Sequence, residues 1–136
     1  MPFVIDASAA GCWALKDEED PAATAALLRL DRDEGLVPVI WWFELRNTLL
    51  VAERRGRISG ADSGAFLFQL SQLPINVDRQ PQESELLLLA RRHRLTAYDA
   101  AYLELARRTA LSLATLDAAL ARAARAEHVP LVGHGG

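Results

Sequence analysis

Four carboxylates stand in apolar surroundings where carboxylates are costly. Asp6 directly follows the run Phe3-Val4-Ile5, and Asp117 closes Leu113-Ala114-Thr115-Leu116-Asp117. Glu44 lies inside Trp41-Trp42-Phe43-Glu44-Leu45, and Asp99 inside Ala97-Tyr98-Asp99-Ala100-Ala101-Tyr102-Leu103. Taken singly, Glu44 and Asp99 are each explained as helix-start carboxylates that cap free amides and meet the positive end of the helix dipole. Gathered at one place, four such groups repel one another unless a divalent cation neutralises them or some stay protonated. An all-oxygen, carboxylate-rich site with waters selects Mg²⁺ or Mn²⁺, whereas zinc calls for Cys and His. His93, His128 and His134 are scattered without ligand spacing. The hydroxyls of Ser8 and Thr115, each two residues from an acidic member, are suited to holding the carboxylates that bind the ion.

The elements that must bring these residues together show as an alternation. Short β-branched runs at 3–5, 36–40, 75–77, 111–113 and 129–132 are separated by Ala/Leu/Arg/Glu stretches long enough for helices. That order predicts an α/β fold with a central parallel sheet of about five short strands, flanked by helices on both faces. Ligands of such sheets bind outside the carboxyl ends of the strands, near the point where strand order reverses. All four carboxylates fall at that edge. Helices are predicted over 21–32, 41–55, 59–73, 81–92, 98–108 and 117–126. Asp20-Pro21 opens the first, Gly56 stops the second, and Ser59 with Asp62 forms a capping box at the third, which ends before Pro74. No element is assigned between Ile5 and Pro21, although Cys12 has a helix-like setting. The pair over 41–73 reads as a projecting helical hairpin with more apolar surface than one packed face needs, Phe66 and Phe68 included, and surplus of that kind marks a protein interface. The tail after Val132 is expected to fray.

With 136 residues, 51% of them hydrophobic and 24% charged, the chain is read as one domain over residues 1–136 that needs no disulfide. Its one cysteine cannot form an internal bridge, and a lone buried thiol suits a reducing compartment, here the cytoplasm. No secretory signal is visible, because Asp6 interrupts the first apolar run. No apolar run approaches the ~20 residues of a membrane span. The net charge of -3 excludes binding of nucleic acid by bulk positive charge. Once four carboxylates are assigned to a cation, however, the balance turns to +1, and arginines can still line a polyanion face. Arg46, Arg54 and Arg55 are the leading candidates, with Arg57, Arg91, Arg92, Arg94, Arg107 and Arg108 behind them. Trp41 and Trp42, at a strand-to-helix junction, suit core or dimer packing better than base stacking.

Four stretches together carry a family resemblance: Val4-Ile5-Asp6-Ala7-Ser8-Ala9, Trp42-Phe43-Glu44-Leu45-Arg46-Asn47-Thr48-Leu49, Thr96-Ala97-Tyr98-Asp99-Ala100-Ala101-Tyr102-Leu103-Glu104-Leu105-Ala106 and Leu113-Ala114-Thr115-Leu116-Asp117. In order and spacing the chain resembles the PIN-domain ribonucleases, and within them the VapC toxins of VapBC toxin–antitoxin systems. The resemblance implies the PIN-domain fold and a Mg²⁺- or Mn²⁺-dependent endoribonuclease. Asp6, Glu44 and Asp99 are then the core metal ligands and catalytic residues, with Asp117 as fourth member. Ser8 and Thr115 match polar positions around the metal, and Asn47 matches an Asn that orients the Glu three residues before it. The resemblance further implies an RNA substrate, a VapB-type antitoxin, a homodimer, and a heterotetramer or larger assembly with the antitoxin.

Two other readings differ in class. A receiver or Asp-x-Asp phosphatase domain also sets carboxylates and Mg²⁺ at strand ends, but the first expects a Lys near its last strands and the second an Asp where Ser8 stands. A non-catalytic PIN-like binding or regulatory module keeps the fold and loses the cleavage.

Overall fold

The computed structural model describes residues 1–15 and 17–133. Lys16 lies outside that range, as do His134 and the last glycines, on which the expected fraying falls.

Four short strands, β1 (Phe3–Ile5), β2 (Gly35–Pro38), β3 (Ile75–Asp78) and β4 (Leu113–Ala114), form one sheet in the order β3-β2-β1-β4. All three pairings are parallel, with Val4 opposite both Leu36 and Leu113. Phe3, Val4 and Ile5 have no accessible surface at all. Both faces of β1 are therefore covered, as a parallel sheet with crossover helices requires. One group of packed helices comprises α1 (Ala7–Ala14), α2 (Pro21–Arg29) and α3 (Ile40–Arg54). The other comprises α5 (Glu83–His93), α6 (Ala97–Thr109) and α7 (Ala118–Ala126), with α6 lying against β1, β2 and β4. Leu45, Leu103, Leu105 and Leu120 carry the core between helices and sheet.

Among the described residues the sheet has four strands where about five were expected. Residues 129–132 make only an isolated parallel bridge, Leu113 with Leu131. Pro130 accepts from Leu113 but has no N–H to extend the ladder, and Gly133 then turns away at φ 77°.

Helix α1 is the element that the periodicity did not show. Ala7, Ala9, Ala10, Gly11 and Cys12 are all buried, so the helix lacks the polar face that gives an amphipathic pattern. Gly11 permits the close approach of α3: a Cβ there would lie 3.1 Å from Thr48 Cγ2. The hairpin is present as α3 and α4 (Gly60–Ser71), joined through Gly56 at φ 72°. Its predicted capping box is formed, Ser59 Oγ accepting from Asp62 N and Asp62 Oδ2 from Ser59 N, both at 3.0 Å. Only Ser63 and Leu70 of α4 are buried, and Phe68 is exposed. Among the described residues no helix is long and apolar enough to cross a membrane.

Candidate active site

Because β2 and β3 lie on one side of β1 and β4 on the other, strand order reverses between β1 and β4. Asp6 is the residue after β1, and Asp117 follows β4 by three positions. The reversal point that favours a ligand site thus brings two carboxylates from distant parts of the chain together.

Each carboxylate has its own support. Asp6 is 4% exposed and caps α1 by accepting from Ala9 N at 2.9 Å. It also accepts from Ser8 Oγ at 2.7 Å and from Thr115 Oγ1. The same hydroxyls receive backbone donors from the loop after β4, Leu116 N to Ser8 Oγ at 2.9 Å and Asp117 N to Thr115 Oγ1 at 3.0 Å. Two side chains thereby stitch the ends of β1 and β4 into one platform. Asp117 itself caps α7, its Oδ2 accepting from Leu120 N at 2.8 Å.

Capping does not account for the other two acids. Thr96 is the cap of α6, accepting from Asp99 N at 3.1 Å, so the Asp99 carboxylate is not itself the cap. Glu44 is the fifth residue of α3 and makes no cap hydrogen bond. Its Oε1 accepts instead from the hydroxyl of Tyr102, a side chain 1% exposed on α6. Asn47, expected to orient Glu44, shares the pocket but makes no hydrogen bond to it among the described residues. The contact that holds Glu44 comes from Tyr102 on α6. Tyr102 was legible as sharing a helix face with Asp99, three residues earlier.

The electrostatics link all four groups. Burial pushes Asp6 up to about 6, opposed by hydrogen bonds from Thr115, Ala9 and Ser8 and assisted by the charge of Asp117. Burial also raises Asp99, with Asp117 adding to it and Thr96 opposing. Glu44 is raised by burial, with Tyr102 opposing and Asp99 adding. Burial, reinforced by the Glu44 carboxylate, keeps the Tyr102 phenol protonated. Among the described residues no basic side chain forms an ion pair with any of the four carboxylates. Arg108 pairs with Asp78 and Glu104, Arg107 with Glu85 and Glu127, and Arg92 with Glu127. Arg57 pairs with Asp17 and Glu18.

Asp6, Ser8, Glu44, Asn47, Asp99 and Asp117 line one hollow of about 280 Å³, together with Tyr102. Its acidic lining offers oxygen donors, Asp6 buried and Glu44, Asp99 and Asp117 half-buried, with no ion-paired base among the described residues, and a hard divalent cation suits such donors. As they stand, no three acidic, His or Cys side chains among the described residues are close enough together to hold a metal ion. The three arginine candidates lie apart from this hollow. Arg46 donates to Trp42 O at 3.2 Å and stacks 3.9 Å over the Trp42 ring. Arg54 and Arg55 are exposed at the end of α3. Trp41 is buried in the core, whereas Trp42 is half exposed.

Comparison with known proteins bears on the fold that carries these residues. No curated protein sequence matches the chain. Among solved structures, PAE2754 from Pyrobaculum aerophilum superimposes with a TM-score of 0.70 at 28% identity, over 90% of this chain and 79% of that one. VapC20 of Mycobacterium tuberculosis, a sarcin–ricin loop cleaving toxin, does so with a TM-score of 0.58 at 14% identity, over 89% of this chain and 94% of that one. At that identity the likeness is one of fold. A model of the PIN domain matches residues 3–126, and the chain belongs to the PIN domain family.

Proposed function

We propose that the protein, as a single domain over residues 1–136, is a Mg²⁺- or Mn²⁺-dependent endoribonuclease of the VapC toxin type. The observation that carries this reading is the set of four carboxylates lining one hollow beside the β1/β4 reversal, with no ion-paired base among the described residues. Asp6, Glu44, Asp99 and Asp117 would hold the ion. When bound, such an ion supplies the Lewis acidity that makes water a nucleophile near neutral pH and offsets charge on the scissile phosphate. The chain contributes rigidity. Ser8 and Thr115 hold Asp6 from two directions, Tyr102 fixes one oxygen of Glu44 and leaves the other free, and the caps of α6 and α7 hold Asp99 and Asp117 at the rim. No side-chain nucleophile is needed, and the products would be a 5′-phosphate and a 3′-hydroxyl.

A VapB-type antitoxin and a second copy of the chain are the expected protein partners, and a cytoplasmic setting follows from both. Exposed Trp42, Phe43 and Leu50 on α3, with Phe68 on α4, supply apolar surface for such contacts.

The test is to map new RNA 5′ ends after brief induction in a bacterium, with Asp99→Asn as matched control. Discrete 5′-phosphate ends made only by the parent support the nuclease. Identical profiles from folded protein without antitoxin favour a binding module with the same fold.

A further inference from the structure

Two hollows adjoin the acid pocket. One, of about 300 Å³, shares Ala7, Ser8, Asn47 and Thr48 with it and extends between α1 and α3 to Arg55. The other, of about 290 Å³, shares Asp117 and extends past Leu116 to Arg125 in the last turn of α7. Through these shared lining residues the three hollows adjoin as a candidate depression, the acid pocket in the middle, with Arg55 and Arg57 lining one arm and Arg125 the other.

Arg57 is committed to acids and Arg55 and Arg125 are not, a freedom that among the described residues they share with Arg54, Arg79, Arg91, Arg94 and Arg122. Arg29, Arg57, Arg92, Arg107 and Arg108 spend their charge on acidic neighbours. Arg55 and Arg125 make no ion pair or side-chain hydrogen bond among the described residues, and both are exposed. Other unpaired arginines, such as Arg79 and Arg91, line neither arm. The acids within the arms are engaged already, Glu18 by Arg57 and Asp20 by the amides of Ala22 and Ala23 at the start of α2.

We propose that a single RNA strand lies along this depression, with its scissile phosphate over the four carboxylates and flanking phosphates taken by Arg55 in one arm and Arg125 in the other. The proposal rests on the nuclease reading. It adds the course of the strand and assigns Arg125, whose charge in the last turn of α7 also meets the helix dipole. A polyanion approaching an acidic centre needs cations beside that centre, and guanidinium groups free to make bidentate contacts meet the need.

The Asp99→Asn protein, which keeps RNA uncut, allows binding to be read alone by fluorescence anisotropy with a labelled single-stranded 20-nucleotide RNA between 50 and 300 mM salt. Arg55→Gln and Arg125→Gln, added singly, are each expected to weaken binding about fivefold and to lower the salt slope by about 0.7, the value for one lost phosphate contact on a single strand. Arg79→Gln and Arg91→Gln should stay within about twofold of the starting protein. Equal losses in all four variants, an effect at only one arm, or no RNA binding at all would overturn the proposal. Cleavage assays in the Asp99 background separate it from the reading beneath it. If the parent cuts RNA and both arm variants do so with unchanged KM, the strand path is wrong and the nuclease stands. If the parent cuts nothing while the arm variants lose binding as described, the nuclease reading fails and the strand site stands.

Discussion

The hydroxyl of Thr115, just past the end of β4, donates to the carboxylate of Asp6, just past the end of β1, and accepts in turn from the amide of Asp117. One side chain therefore sets the position of two acidic groups. Thr115→Val removes both contacts at nearly constant volume and leaves two polar groups short of a partner. Urea denaturation should show a loss of about 1–3 kcal/mol. Binding of Mn²⁺, read by titration calorimetry, should weaken about tenfold or more. Unchanged metal binding would mean that the platform is structural only.

Tyr102→Phe tests the contact between α6 and α3. The ring stays in the core, so stability should change by only about 1 kcal/mol. Glu44 loses its anchor, and a ligand freed in this way costs about 10-fold to 100-fold in metal affinity or turnover. The loss is expected in kcat with little change in KM for RNA, because the buried phenol is beyond reach of a flanking phosphate. A rise in KM alone would contradict this assignment.

Asp6 makes the metal-free protein sensitive to pH. Its carboxyl titrates near 6 in the folded chain against an ordinary 3.8. The folded state therefore holds the proton more tightly, and stability falls as pH rises from about 4 through about 6. Asp6→Asn cannot ionise. Relative to the parent it should gain up to about 3 kcal/mol between pH 4 and pH 7, whatever its absolute stability. Urea unfolding in chelator at the two pH values reads the difference, to which groups titrating alike in both proteins contribute nothing. Parallel profiles would show that Asp6 is not held against its charge.

Away from the pocket, Glu104 is 2% exposed and pairs with Arg108 at 2.7 Å, while Arg108 reaches Asp78 on β3 at 2.8 Å. Through Asp78, Arg108 ties the helix that carries Asp99 and Tyr102 to the sheet. Arg108→Met would strand a buried carboxylate and should cost roughly 3 kcal/mol in urea unfolding. A double variant with Glu104→Gln should recover part of that loss. Failure to recover it would place the cost in lost packing.

Local chemistry made much of this protein legible. Strand ends, caps and the capping box depend on neighbours in sequence, so Asp6 after β1, Asp20 before α2 and Ser59 before α4 could be read directly. The four acids stood out because carboxylates in apolar runs need a reason. Helix α1 escaped because it is buried nearly all round, and the fifth strand shrank to one bridge because Pro130 cannot donate.

Sequence by itself determined the residue types at the strand ends, the alternation that makes a parallel sheet, and membership in a family with that pattern. Tertiary structure alone decided which partners each group meets. Strand order sets β4 beside β1 and so lets Thr115 reach Asp6 across 109 residues of chain. Helix packing chose Tyr102 over Asn47 for Glu44, and left Arg55 and Arg125 uncommitted while Arg57 and Arg108 found acids. The physical reason is that such contacts depend on register and on which faces of distant elements meet, and these emerge from burial of the whole core rather than from any local spacing.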